Sequence, residues 1–173
     1  MIELRPAQLT DYSAIAALHA DSWRRTYRGI YSDTFLDHDL DRNRSALWQG
    51  RLSAPAANQH VTLAVEQEKL IGFACLYLDD DPAFGTLLDN LHVSASFQKS
   101  GIGRLLMTDC MRLVAEKALV KTLYLWVFEA NQNAINAYER LAGTRGETVL
   151  KTNEDGSEAR ICRYLWNDLT SLS

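Results

Sequence analysis

Gln98, Gly101 and Gly103 in the middle of the chain, with Asn131 and Tyr138 further on, are of types and spacings that can do chemistry. The run Gln98-Lys99-Ser100-Gly101-Ile102-Gly103-Arg104 follows an apolar stretch ending Leu91-His92-Val93 and opens a segment of helical periodicity. A strand, a glycine-rich turn and a helix N-terminus in that order make an anion cradle. The first N–H groups of a helix lack internal acceptors, and the helix dipole adds roughly half a positive charge there. Glycines at 101 and 103 let a phosphate approach the backbone without meeting a Cβ. The motif reads as the phosphate site of a nucleotide-containing cofactor.

The elements that must hold these residues follow from periodicity. Ile2 to Arg5 reads as a strand closed by Pro6. Thr10 then caps a helix to about Arg28, with Ala14, Ile15, Leu18 and Ser22 inward and Trp23 and Tyr27 on a neighbouring face. Ser32 to Leu52 is helical again, with Leu47, Trp48 and Leu52 as apolar contacts and Asp37, Asp39, Asp41, Arg42 and Arg44 as a solvated face. Val61 to Val65 and Leu70 to Leu78 form an antiparallel hairpin, and residues 79–85 turn into a central strand, Thr86 to Val93. Ile102, Leu106, Cys110, Leu113 and Val114 make the buried stripe of the next helix. Thr122 to Phe128 is apolar on both faces, which predicts a buried strand parallel to the central one through a right-handed crossover. Asn131 caps a helix over Gln132 to Leu141, with Ala134, Ala137, Tyr138 and Leu141 inward, and Glu147 to Lys151 with Ala159 to Trp166 close the chain as a hairpin. The expected fold is α+β: a single domain over residues 1–173 whose mixed, mostly antiparallel sheet surrounds one parallel strand–helix–strand unit.

Composition narrows the function classes. The chain has 173 residues, 47% hydrophobic and 23% charged, the balance of one well-buried domain. A net charge of -4 supplies no general attraction to nucleic acid or to an anionic membrane, and it favours a cationic small-molecule partner. Cys75, Cys110 and Cys162 are scattered, with no disulfide spacing, and no signal-peptide pattern or membrane-length apolar run is present. A cytoplasmic protein with reduced thiols is expected. His19, His38 and His60 have no metal-ligand spacing, so no metal is expected.

With these motifs in this order the sequence resembles the GCN5-related N-acetyltransferase (GNAT) family, whose pattern is a strand ending apolar-x-Val, then Q/R-x-x-G-x-G/A, then a long helix. Gln98, Gly101 and Gly103 match it position by position, and Asn131 seven residues before Tyr138 matches a second family element. Ala95, Lys99, Ser100 and Ala142 depart from common family choices and leave the subfamily open. The resemblance implies acetyl coenzyme A as cosubstrate, bound by a core at about residues 86–141. Its pyrophosphate would lie on the amides from Gln98 through Lys99, Ser100, Gly101, Ile102 and Gly103 to Arg104, with Lys99 and Arg104 adding charge. It further implies a bulge at Leu91, His92 and Val93 that parts the central strands for the pantetheine arm, with the Val93 N–H on the thioester carbonyl. Asn131 and Ala134 would also border the cofactor, and Tyr138 would protonate the departing thiolate.

The implied reaction is acetyl transfer to a primary amine, on a small molecule or on a peptide or protein. No G-x-S-x-G elbow or reactive cysteine setting is present, which favours direct attack in a ternary complex. An amine acceptor must lose a proton, and Asp89, His92 and Glu129 flank the expected parting; Asp89 is the favoured base. Strand alternation places Asp89 with Leu91 and Val93, and His92 with Asn90. Trp23 and Tyr27 would wall the acceptor pocket. The alternatives are a non-catalytic sensor of coenzyme A or acyl coenzyme A and an unrelated nucleotide-binding domain. Sheet edges and exposed aromatics near Trp48 suggest a homodimer.

Overall fold

The computed structural model describes residues 1–170. Its centre is a seven-stranded sheet ordered β1-β2-β3-β4-β5-β7-β6. The strands are β1 (Ile2–Pro6), β2 (Gln59–Glu66), β3 (Lys69–Asp81), β4 (Gly85–Val93), β5 (Leu123–Phe128), β6 (Thr144–Thr152) and β7 (Glu158–Trp166). The β4–β5 pair is parallel and its neighbours are antiparallel, so the sheet is mixed and mostly antiparallel. The helices are α1 (Tyr12–Thr26), α2 (Leu40–Ser53), α3 (Ile102–Lys117) and α4 (Gln132–Arg140).

Alternation along the strands sorts the core into two faces. Ala74 and Leu76 of β3 pack with Leu106, Cys110 and Val114 of α3, whereas Phe73 and Cys75 pack with Ile15 of α1 and Trp48 of α2. Cys75, Cys110 and Cys162 are free and buried. Among the described residues no helix is long and apolar enough to cross a membrane.

The strand and helix pattern expected from the sequence is present, with corrections at its joints. Residues 79–81 continue β3 instead of turning. Asp79 stands at φ 49° there, and its carboxylate accepts the backbone N–H groups of Leu119 at 2.9 Å and Val120 at 2.9 Å, tying the end of α3 to the sheet. Gly85 sits at φ 81°, and a Cβ on it would meet Thr122 Oγ1 at 2.3 Å. Only glycine lets β4 and β5 start side by side there.

Thr10 does not cap α1: a 3-10 turn over Leu9–Asp11 precedes the helix, and the Asp11 carboxylate accepts from the Gln8 N–H at 2.7 Å. The buried stripe of α1 is Ile15, Ala16, His19, Ala20, Ser22 and Trp23, with Ala14 exposed. A histidine and a tryptophan belong to the inward stripe, which rotates it away from the purely aliphatic reading. The segment 32–52 is two pieces, a wide π turn at Phe35–Asp39 and then α2. Arg44 is not on a solvated face: it is 4% exposed, stacked 4.3 Å over the Trp23 ring and paired with Glu154 at 2.6 Å. Trp48 is fully buried, which removes one of the two grounds for expecting a dimer, the other being the sheet edges.

Candidate active site

The parallel pair at the centre barely pairs. β4 meets β5 at Thr86–Leu123 and Leu87–Tyr124, after which β4 follows β3 and β5 follows β7. The parting begins at Leu88, earlier than the expected Leu91 to Val93. Cys75 of β3 opposes Asn90 and Leu76 opposes Leu88, so Asp89 is the extra residue of a β-bulge. The bulge overturns the alternation expected for Asp89. Arg51 Nη1 donates to Asn90 Oδ1 at 3.0 Å and lies 2.8 Å from Asp89 Oδ2, so these consecutive side chains face the same helix. Asp89 therefore joins Asn90 and His92 on the α1–α2 face and leaves Leu91 and Val93.

Backbone direction beyond the bulge follows from one hydrogen bond. The Ser94 N–H donates to the Ile71 carbonyl at 2.9 Å. Amides of an antiparallel strand point alternately to one neighbour and the other, so the Val93 N–H points away from β3, into the gap left by β5.

A cleft of about 230 Å³ opens where the strands part, and Trp23, Tyr27, Asp89, Leu91, His92 and Tyr138 all line it. Val93, the 98–104 turn, Asn131 and Ala134 lie outside that cleft. The turn forms the N-terminus of α3, with Lys99 at φ 61° and Gly101 at φ 90°. A Cβ on Gly101 would meet nothing within 4 Å, so the space over these amides is open and the glycine answers a backbone demand. Such a turn fits a phosphate group. Asn131 caps α4, its Oδ1 accepting the Ala134 N–H at 3.2 Å.

Tyr138 is half-buried against Trp166 (ring centroids 5.9 Å apart) and makes no hydrogen bond among the described residues. Burial, helped by the neighbouring Tyr27 phenol, pushes its pKa up. It is a neutral O–H donor at any ordinary pH. Burial likewise pushes Tyr27 up to about 12.

On the opposite wall the Trp48 indole Nε1–H donates to His19 Nδ1 at 2.9 Å. An indole can only donate, so neutral His19 carries its proton on Nε2. His19 and His92 have ring centroids 4.6 Å apart, and His92 Nδ1 is 2.9 Å from Ser22 Oγ. Burial, with the charges of Arg44 and Arg25, lowers the His92 pKa to about 4, and burial lowers His19 in the same direction. Both imidazoles are uncharged near neutrality.

Sequence reasoning missed Tyr31, Arg44, Arg51 and Glu154, which share the cleft wall. A signal was present for two of them: Leu40, Arg44, Trp48 and Arg51 recur at helical spacing, and the inward face of α2 carries the arginines with the apolar residues.

Residues 18–143 match the acetyltransferase (GNAT) family. The chain belongs to that family. This GNAT acetyltransferase is 25% identical over 179 residues to YuaI, an uncharacterized N-acetyltransferase of Bacillus subtilis, covering 99% of this chain and 96% of the relative. Among solved structures it superposes on the PaiA N-acetyltransferase of Thermoplasma acidophilum in complex with coenzyme A with a TM-score of 0.71 at 17% identity, covering 94% of this chain and 98% of that one. It superposes on Arabidopsis thaliana NAA60 in complex with a bisubstrate analogue with a TM-score of 0.72 at 19% identity, covering 96% and 97%. As a GNAT acetyltransferase it is an acyltransferase.

Proposed function

We propose that the protein transfers the acetyl group of acetyl coenzyme A to a primary amine by direct attack within a ternary complex. The observation that carries this reading is the parting of β4 from β5 after Leu87, with Tyr138 at the opening. The related folds solved with coenzyme A and with a bisubstrate analogue support it. The three free, buried cysteines fit a reducing compartment, and we place the protein in the cytoplasm on that ground.

In this reading the amides from Gln98 to Arg104 hold the pyrophosphate, while Leu91, His92 and Val93 border the pantetheine arm together with Asn131 and Ala134. The Val93 N–H bonds the thioester carbonyl, and the bond strengthens as that oxygen gains charge on attack, an effect worth about 3 kcal/mol in measured cases. Trp23 and Tyr27 wall the acceptor amine. Asp89, held by Arg51, takes the ammonium proton directly or through water. Neutral Tyr138 donates to the sulfur as the C–S bond breaks, and the amine nitrogen keeps the acetyl group as an amide.

Release of coenzyme A thiol from acetyl coenzyme A across a panel of amines and peptide N-termini tests the reading. With Tyr138→Phe, kcat should fall about 10²-fold while calorimetric coenzyme A affinity stays within about twofold. A parent protein that binds coenzyme A yet releases no thiol with any amine would instead be a sensor.

A further inference from the structure

The cleft wall is more positive than the chain. Its charged residues are three cations, Arg44, Arg51 and Lys151, against two anions, Asp89 and Glu154, in a protein of net charge -4. Both anions are already committed, Asp89 to Arg51 at 2.8 Å and Glu154 to Arg44 at 2.6 Å. Both arginines keep donors in reserve. Arg44 uses Nε and Nη2 on Asn43 and Glu154, and Arg51 uses Nη1 alone, on Asp89 and Asn90. The Nη1 of Arg44 and the Nε and Nη2 of Arg51 therefore find no acceptor among the described residues. Lys151 makes no ion pair among them either; its Nζ lies 5.5 Å from the Phe128 ring centroid.

Tyr31 supplies a second, independent observation. It lines the same cleft, is 3% exposed, and its buried hydroxyl has no hydrogen-bond partner. A buried hydroxyl left unpaired carries a desolvation cost that a ligand oxygen in the cleft would remove. Stacking on Phe35 (ring centroids 5.5 Å apart) and the seat of Arg44 over Trp23 hold both donors in place.

We infer that the acceptor amine carries a carboxylate, received by the Tyr31 hydroxyl and the unused N–H groups of Arg44 and Arg51, with Lys151 at the rim. The inference rests on the acetyl-transfer reading and names its substrate class: amino-acid-like amines in preference to diamines or amino-acid amides. Burial is the main cause of the lowered pKa of His19 and His92, and Arg44 and Arg51 add to it at His19, and Arg44 at His92, as a positive local field should. Local charge thus opposes the preference for a cationic acceptor drawn from the net charge.

Matched ligands decide it. Lysine against cadaverine, and alanine against alaninamide, differ chiefly in the carboxylate. They are titrated calorimetrically into protein saturated with coenzyme A, then compared as acceptors by thiol release. The carboxylate member of each pair should bind about tenfold tighter and show about tenfold higher kcat/KM. Tyr31→Phe should raise the lysine Kd and KM about tenfold against less than about twofold for cadaverine, without lowering Tm, since its hydroxyl pairs with nothing in the protein. Exposed Lys151→Gln, a change that leaves the core alone, should weaken lysine about threefold. Equal or tighter binding of the diamine and the amide overturns the inference, whatever the turnover. Selective binding of lysine with no thiol released from any amine leaves the carboxylate site standing and overturns the acetyl-transfer reading.

Discussion

Leu106, Cys110 and Val114 of α3 and His19, Trp23 and Arg44 of α1 and α2 are all buried, on opposite faces of one sheet. The α3–α4 face is closed by aliphatic, sulfur and aromatic packing; its buried aromatic donors are taken up locally, the Trp166 indole N–H by the Leu141 carbonyl at 2.8 Å and the Tyr164 hydroxyl by Glu139 at 2.7 Å, and the polar groups it leaves open are backbone, the first amides of α3 and the free edge of β4. The α1–α2 face buries two imidazoles, a guanidinium and an indole N–H, each fixed by a named partner or stack. The difference matches the division of labour proposed above. A cosubstrate recognised through diphosphate and an extended arm needs amides at a fixed spacing, which any packed helix and strand provide. An acceptor recognised by its functional groups needs side chains, and burying those exposes stability to pH.

Truncation of the apolar face should have the largest effect. Leu106→Ala removes a fully buried side chain from the main cluster and should cost about 3–4 kcal/mol in chemical denaturation, with the same loss at pH 5 and pH 7. A loss below about 1 kcal/mol would show that this face is not the stable half.

The polar face should answer to acid instead. His92 titrates at about 4 in the folded protein against an ordinary 6.5, so below 6.5 the unfolded chain binds a proton that the native state refuses. Its contribution is complete above that value and is lost as pH falls from 6.5 toward 4. Between pH 7 and pH 5 the loss should be about 2 kcal/mol for His92, and His19 adds in the same direction. Tm measured across that range should decline, with a shallower slope in His92→Gln. A flat Tm would remove the contrast between the faces. By the same depression, the activity profile should have no histidine limb between pH 6 and 7.

The smallest effect separates backbone recognition from packing. Gly101→Ala meets no atom within 4 Å, so its cost is the φ of 90° alone, about 1 kcal/mol. Coenzyme A affinity should fall about fivefold, with only a small change in Tm. Unchanged affinity would place the diphosphate elsewhere.

The half proposed to hold the cofactor was the more readable because its signals are local. Gly101 and Gly103 at a strand-to-helix turn and Asn131 as a cap depend on residues within a few positions of one another. The half proposed to receive the acceptor was harder for a matching reason. Arg44 meets Glu154 across 110 positions, and Ser22 meets His92 across 70. Charge patterning placed Arg44 in solvent because an isolated arginine belongs there; the Trp23 face and the Glu154 carboxylate that make burial tolerable come from elsewhere in the chain. Asp89 was set on the wrong face because alternation holds only while no residue is inserted, and the bulge is a property of β4 against β3 that neither strand displays alone.

Periodicity, glycine placement and the strand–turn–helix order were enough to specify a mixed sheet around one parallel unit, the glycine turn that opens α3 and the family, since each depends on interactions within a helix turn or a strand pitch. Where β4 leaves β5, which way Asp89 faces, and which charges share the cleft with Tyr31 were settled only by packing. These outcomes depend on which distant groups offset the desolvation of a buried polar atom, and that information exists only once the chain is folded.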